Sequence, residues 1–278
     1  MARHQTILSY RSYTWLKLGL ALTVSASAVY AWHDPLGGPN GGSWLGYTLG
    51  VLGAGLIGLL AWFGVRKRQH GKTGPSLQSW LSAHVYLGLA LAVIATLHTG
   101  FQFGPNVHTL AWALMMIVIV SGMLGVAAYL SLPRIQTTNL RGRSLTDVLQ
   151  EVATVDVELR RASRDVDDEL NRWIQHSDGH CKVGGGLLTQ LRGPLVGCAN
   201  REALHTIEAL VSSGRHRESQ SVRQILSLLS RKGRLLTQAR REVQLRAWLR
   251  LWLFAHVPLT FALLVALTGH VLSVFFFW

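Results

Sequence analysis

Acidic side chains are almost missing from most of this chain. Of 14 aspartates and glutamates in 278 residues, only Asp34 lies outside positions 133–246. Cysteine is scarce as well: Cys181 and Cys198 are the two present, with no CxxC pair and no CxxCH run. That excludes covalent attachment of a c-type haem and gives no zinc-ribbon spacing. Neither a Walker loop nor a Gly-rich dinucleotide fingerprint occurs, so the chain carries no recognisable nucleotide site. Lysine and arginine are missing from two connections, HDPLGGPNGGS (33–43) and GPNV (104–107). Charged residues of any kind make up 15% against 49% hydrophobic, and mean hydropathy is +0.26.

What remains is long apolar runs with basic punctuation, the pattern of membrane-crossing helices joined by loops. Five spans are predicted: Tyr13–Trp32, Trp44–Val65, Trp80–Phe103, Leu110–Leu132 and Trp248–Phe277. Each reaches the roughly 20 residues needed to cross the hydrocarbon layer. Trp15, Trp32, Trp44, Trp80, Trp248 and Trp278 stand near their ends, where aromatic anchors sit. The first span, with its basic start and small residues at SASAVYA, also resembles a signal peptide and is read here as a helix. The expected fold is an all-α integral membrane protein of three segments. Residues 1–132 hold helices one to four, 133–246 form a soluble helical insert, and 247–278 supply the fifth helix. The pI near 10.7 reflects basic residues beside apolar runs, so no nucleic-acid partner is expected and lipid is the surrounding medium.

Orientation follows from lysine and arginine. Arg3, Arg11 and Lys17 precede or open the first span; Arg66, Lys67, Arg68 and Lys72 follow the second; 19 more lie in 133–246. The positive-inside rule places the amino terminus, the second connection and the insert in the cytoplasm, and the carboxyl terminus outside. A multi-pass protein of a bacterial-type inner membrane fits this arrangement.

Four histidines sit deep inside two of the apolar runs. His84 and His98 lie in the third span, His256 and His270 in the fifth, and each pair is separated by 14 positions. At 3.6 residues per turn the members of a pair are about 40° apart in phase and about 21 Å apart along the axis. Both spans run outward, so His84 is level with His256 near the inside and His98 with His270 near the outside. Two stacked imidazole pairs suit two b-type haems, each iron held from both faces. Intramembrane imidazole is costly and marks function more often than packing.

This layout resembles the di-haem core of membrane b-type cytochromes: the cytochrome b of quinol–cytochrome c oxidoreductases, b561-like proteins, and ferric-reductase and superoxide-generating oxidase transmembrane domains. The resemblance covers about 44–132 and 248–278 and carries ligand roles to His84, His98, His256 and His270 alone. It implies two haems b and an electron-transfer subunit moving electrons across the bilayer. One end of that path would be a quinone pool, the other an iron–sulfur, flavin or cytochrome c partner subunit. Two other readings stay open: a stand-alone transmembrane reductase for an external acceptor, and a non-redox sensor or scaffold. The long insert departs from these families, and no FAD- or NADPH-binding domain follows the last span.

Other residues fit around the histidines. Gly46, Gly50, Gly53, Gly55 and Gly58, with Gly122 and Gly125, permit close approach of a helix or a flat macrocycle. Arg66, Lys67, Arg68 and Lys72 serve either topology or inner propionates. The outer propionates would fall to His33, Asn106, His108, backbone or another subunit. His33, Asp34 and His108 form the outer titratable set, a candidate quinone or proton site against the plainer reading of loop and interface residues.

In the insert, Val148, Val152, Val155, Leu159, Ala162, Val166 and Trp173 recur at helical spacing, as do Val222, Ile225, Leu229, Leu236, Ala239 and Val243. An antiparallel hairpin of two amphipathic helices is expected, with Asp165, Asp167, Asp168 and Glu169 on its solvated face. His176, His180, Cys181 and Cys198 near its Gly-rich centre offer donor atoms without a metal motif, and a reducing compartment disfavours a standing disulfide.

Overall fold

The structure is a computed structural model and describes residues 6–35, 38–68, 76–179, 181, 183–192, 198–214 and 219–276, apart from the side chains of 65–68, 165 and 179. Most of the described residues are helical, and no strand occurs among them. In order the helices are α1 (Thr14–Trp32), α2 (Trp44–Arg68), α3 (Leu77–His98), α4 (Val107–Leu140), α5 (Leu145–Ala162), α6 (Asp168–Gly179), α7 (Leu187–Arg192), α8 (Ala199–Ser212) and α9 (Gln220–Phe276). The chain divides into two compact units, one of residues 1–127 and 252–278 and one of residues 128–251.

In the first unit α3 is the central element, packed by both α1 and α2. Its start is set by Ser76, whose hydroxyl accepts the Ser79 N–H at 3.2 Å, and its end by Gly100. That glycine has φ +58°, and a Cβ there would lie 2.2 Å from the Pro39 carbonyl oxygen, so both conformation and space require glycine. The face of α3 bearing Ala83, Leu87, Ala90, Leu91 and Ile94 is buried against Leu45, Leu49, Leu56, Ile57, Met115 and Leu263. Trp15 of α1 donates its indole N–H to Ser79 at 3.1 Å.

Four helices, α2, α3, α4 and α9, are long and apolar enough to cross a membrane. Their outward faces stay apolar: Val51, Phe254, Val265 and Phe275 expose 73–76% of their surfaces. Apolar area of that kind in contact with water costs about 25 cal/mol per Å², and lipid removes the cost. The fold is compatible with a multi-pass membrane protein. Helix α1 is not among the four, because Lys17, Thr23, Ser25 and Ser27 dilute its 19 residues.

The second unit has more pieces than the expected pair of amphipathic helices. The first pattern breaks after Ala162: Ser163–Asp165 form a 3-10 turn and Val166 is extended, so Trp173 belongs to α6. The second pattern lies within α9, which continues unbroken through 247 into the apolar run. Helix α8 buries Ala199, Ala203, Ile207 and Leu210, a face that short aliphatic spacing concealed. Val148, Val155, Leu159, Leu170, Ile174, Ile225 and Leu229 complete this core. Asp167, Asp168 and Glu169 are exposed.

Candidate functional site

Two of the four histidines in the apolar helices lie edge-on to one another. The rings of His98, the last residue of α3, and His270 in α9 have centres 6.0 Å apart, inclined at 70°. Two imidazoles on opposite sides of one metal, with bonds of about 2 Å and about 1 Å more from nitrogen to ring centre, stand about 6 Å apart. The other pair is looser: His84 lies within electrostatic range of His256, and its ring packs on Phe63 with centres 5.1 Å apart.

A hydrogen bond fixes which nitrogen of the His98 ring is free. His98 Nδ1 lies 2.7 Å from the Gly46 carbonyl oxygen. A carbonyl only accepts, so Nδ1 carries the proton, and in the neutral ring Nε2 keeps its lone pair. Ser121 Oγ donates to the Val118 carbonyl at 2.9 Å, which uses its one proton. With the proton there, Oγ accepts from His256 Nδ1 at 2.6 Å and Nε2 is the bare nitrogen; with the hydroxyl turned toward His256, Nδ1 is the acceptor. Metal-bound histidines almost always give the other N–H to a carbonyl, carboxylate or similar acceptor, which fixes tautomer and ring orientation.

Small residues hold these rings in place. A Cβ on Gly50 would lie 2.8 Å from His98 Cε1, closer than any side chain tolerates, and one on Gly122 would meet His256 Cε1 at 3.6 Å. Trp252 stacks on His256 with centres 5.3 Å apart and donates its indole N–H to the Ser121 carbonyl at 2.7 Å. It occupies the space opposite Gly125, where a Cβ would fall 2.1 Å from its ring.

His108 joins this site instead of a separate loop cluster. Its Nδ1 is hydrogen-bonded to Nδ1 of His270, and the ring centres are 4.3 Å apart. His33 rests edge-on against Trp44, centres 5.1 Å apart, and its buried Nε2 has no hydrogen-bond partner. Asp34 is exposed. Among the described residues no hydrogen bond, ion pair or ring contact joins either of them to His108. The side chains of Arg66, Lys67 and Arg68, and all of Lys72, lie outside the described residues, as does His180.

No known protein family, curated protein or solved structure matches the chain. The site therefore rests on its own geometry. Among the described residues no group of three or more His, Cys, Asp or Glu is arranged around a metal position. An iron already held by a macrocycle asks the protein for only two axial donors, and the donor set here fits that need.

Sequence reasoning missed Ser121, Trp252, Phe63 and the Gly46 carbonyl. A serine in the middle of the fourth apolar run was a usable signal. The stacking of Trp252 was not, because a tryptophan four residues from His256 reads as an interfacial anchor. Beside His84 lies an apolar cavity of about 100 Å³, bordered by Trp15, Leu60, Phe63, Trp80 and Leu87. The indole N–H of Trp80 and Nδ1 of His84 are both buried without a hydrogen-bond partner.

Proposed function

We propose that the chain is a membrane cytochrome b subunit that holds two haems b, His98 with His270 and His84 with His256, and moves electrons across the bilayer. The observation that carries the reading is the His98–His270 pair: rings 6.0 Å apart, with Nδ1 of His98 committed to the Gly46 carbonyl. When bound, such haems supply one-electron redox chemistry. The protein's part is to present neutral imidazole from α3 and α9, lock its tautomer, and keep water away with Trp252, Phe63 and the aliphatic face of α3. His108 accepts or donates a proton at Nδ1 of His270, which couples ring position to protonation at that level.

A quinone pool is the proposed source or sink of electrons at one level, and an iron–sulfur, flavin or cytochrome c subunit the other. The five-span topology, with residues 133–246 in the cytoplasm, belongs to the same proposal. In this reading α1 counts as a fifth span through its packing on α3, although its hydropathy is lower.

The test is a pyridine haemochrome assay on haem-replete protein. Two haems b per chain are expected. His98→Ala and His270→Ala should each remove the same haem, and His84→Ala and His256→Ala the other. A single haem or none in the intact chain would overturn the reading. If His98→Ala and His270→Ala emptied different sites, the pairing would fall. Reduction by a short-chain quinol in stopped flow then tests the quinone link; absence of reduction in the intact complex removes it.

A further inference from the structure

Cys181 and Cys198, the two cysteines of the chain, take no part in the proposed haem site. Both are free and half-buried, and their sulfurs are 3.5 Å apart. That is a hydrogen-bond distance between thiols. A disulfide needs about 2.05 Å, so closure asks for a shift of about 1.5 Å.

The surroundings make the two sulfurs unequal. Cys198 stands at the N-cap of α8, a 14-residue helix, and makes no side-chain cap bond. Helix N-termini favour a thiolate. Arg240 adds a hydrogen bond and a positive charge. The hydrogen bond from Cys181 is the foremost cause that lowers the Cys198 thiol below its usual range, with Arg240 adding to it. The same hydrogen bond foremost, together with burial, pushes the Cys181 thiol up. The Asn200 N–H donates to Cys181 Sγ at 3.3 Å.

Beneath the pair runs a buried polar network. Asn200, 1% exposed, accepts from Ser177 Oγ at 3.0 Å and donates to the Leu229 carbonyl at 2.9 Å. Lys232, also 1% exposed, donates to the Ser177 carbonyl at 2.9 Å and Oγ at 3.2 Å, and pairs with Asp156 at 2.5 Å. Buried polar groups satisfied in this way rigidify what they touch. The network holds the backbone at 177 and 200, on either side of the sulfurs, in one place.

We propose that Cys181 and Cys198 form a redox-active dithiol that reduces small-molecule disulfides, with Cys198 as the attacking thiol and Cys181 as the resolving one. The Cys198 thiolate attacks one sulfur of R–S–S–R′, forming a Cys198–S–R mixed disulfide and releasing R′S⁻. Cys181 loses its proton and its thiolate attacks Cys198 Sγ, closing the Cys181–Cys198 disulfide and releasing RS⁻. The dithiol gives up two electrons, the substrate becomes two thiols, and the cysteine protons pass to them. Half-burial of both sulfurs restricts approach to a slender substrate, which is why a small molecule is specified.

The test uses the full chain, reduced and purified in detergent, with 5,5′-dithiobis(2-nitrobenzoate) under anaerobic conditions. The intact chain should release two thionitrobenzoates and then, by intact mass, carry no aromatic adduct and lack two hydrogens. Adducts retained on both cysteines would overturn the proposal, and this readout needs no variant. Cys181→Ser should release one equivalent and keep the adduct on Cys198. Cys198→Ser should react about ten-fold or more slowly. Equal rates, in variants whose circular dichroism matches the intact chain, would overturn the assignment of roles. Glutathione disulfide should also close the internal disulfide without a lasting glutathione adduct; failure to react would overturn the substrate class.

Discussion

Ser121 connects two requirements at a single residue. With its hydroxyl proton on the Val118 carbonyl its oxygen accepts from His256 Nδ1, and its own carbonyl takes the Trp252 indole that stacks on the same ring. Ser121 is thus a positioning residue for His256 and touches no cofactor. Ser121→Ala removes the acceptor and leaves Nδ1–H with a buried, unmet hydrogen bond. Loss of such a partner typically costs about 10–100-fold in metal affinity. Haem titration of the apo form should show that loss at one of two sites, with a shifted low-spin electron paramagnetic resonance signal; Ser121→Thr should restore both. Equal affinity at both sites in Ser121→Ala would remove this role. The four histidines were legible because imidazole in an apolar run stands out and their spacing repeats. The Gly46 carbonyl was not, since a backbone carbonyl becomes a partner only when another helix brings a ring to it.

Among the helices, apolar length was readable and boundaries in the insert were not. Helices α2, α3, α4 and the second half of α9 carry apolar stretches long enough that hydropathy finds them despite scattered His, Ser and Thr. The pattern from Val148 to Trp173 keeps helical spacing across a real break at Ser163–Asp165, because a 3-10 turn shifts the phase by too little to disturb it. Helix α9 runs on past 247 because nothing in Gln244–Trp248 stops a helix, so a charged amphipathic stretch and an apolar one share one element. Helix α5 is tied to α9 by charge. Glu151 accepts from Arg231 at 2.7 Å and is also bonded by Arg143. The Arg231 hydrogen bond foremost, then the two positive charges, hold its carboxyl below the usual 4.5. A group whose folded pKa is depressed stabilises above its unfolded value and loses that contribution as pH falls through the folded one. Thermal unfolding of this helical unit, followed by circular dichroism, should move to lower temperature as pH drops from about 6 to about 3. Glu151→Gln should be less stable near pH 6 and show a smaller acid-dependent drop; an unchanged pH profile would mean that the ion pair does not contribute.

At the scale of the whole molecule, lysine and arginine close to the span ends bear on which side of the membrane residues 128–251 would occupy. Lysine and arginine bias topology mainly in short loops and within about 15–20 residues of a span; long domains cross largely regardless of their charge. Most of the 19 basic residues in 133–246 therefore count for little. The ones that matter are Arg134 on α4, Arg141 and Arg143 just past its end, and Arg240, Arg241 and Arg246 on α9, to which Arg250, just beyond the insert, adds. With Arg66, Lys67, Arg68 and Lys72 they all point the same way, against no lysine or arginine at 33–43 or 104–107. The proposed cytoplasmic placement also puts the Cys181–Cys198 dithiol where thiols are kept reduced, the state from which it can act on a disulfide. Single cysteines at Gly104 and Ser213, each in a chain with Cys181→Ser and Cys198→Ser, test this directly. Both positions accept a side chain: Gly104 has ordinary backbone angles and no atom closer than 3.5 Å to a new Cβ, and Ser213 is exposed. A membrane-impermeant maleimide on intact cells should label position 104 and reach 213 only after permeabilisation. The reverse pattern would invert the topology, exchange the inner and outer haem assignments, and set the dithiol on the oxidising side.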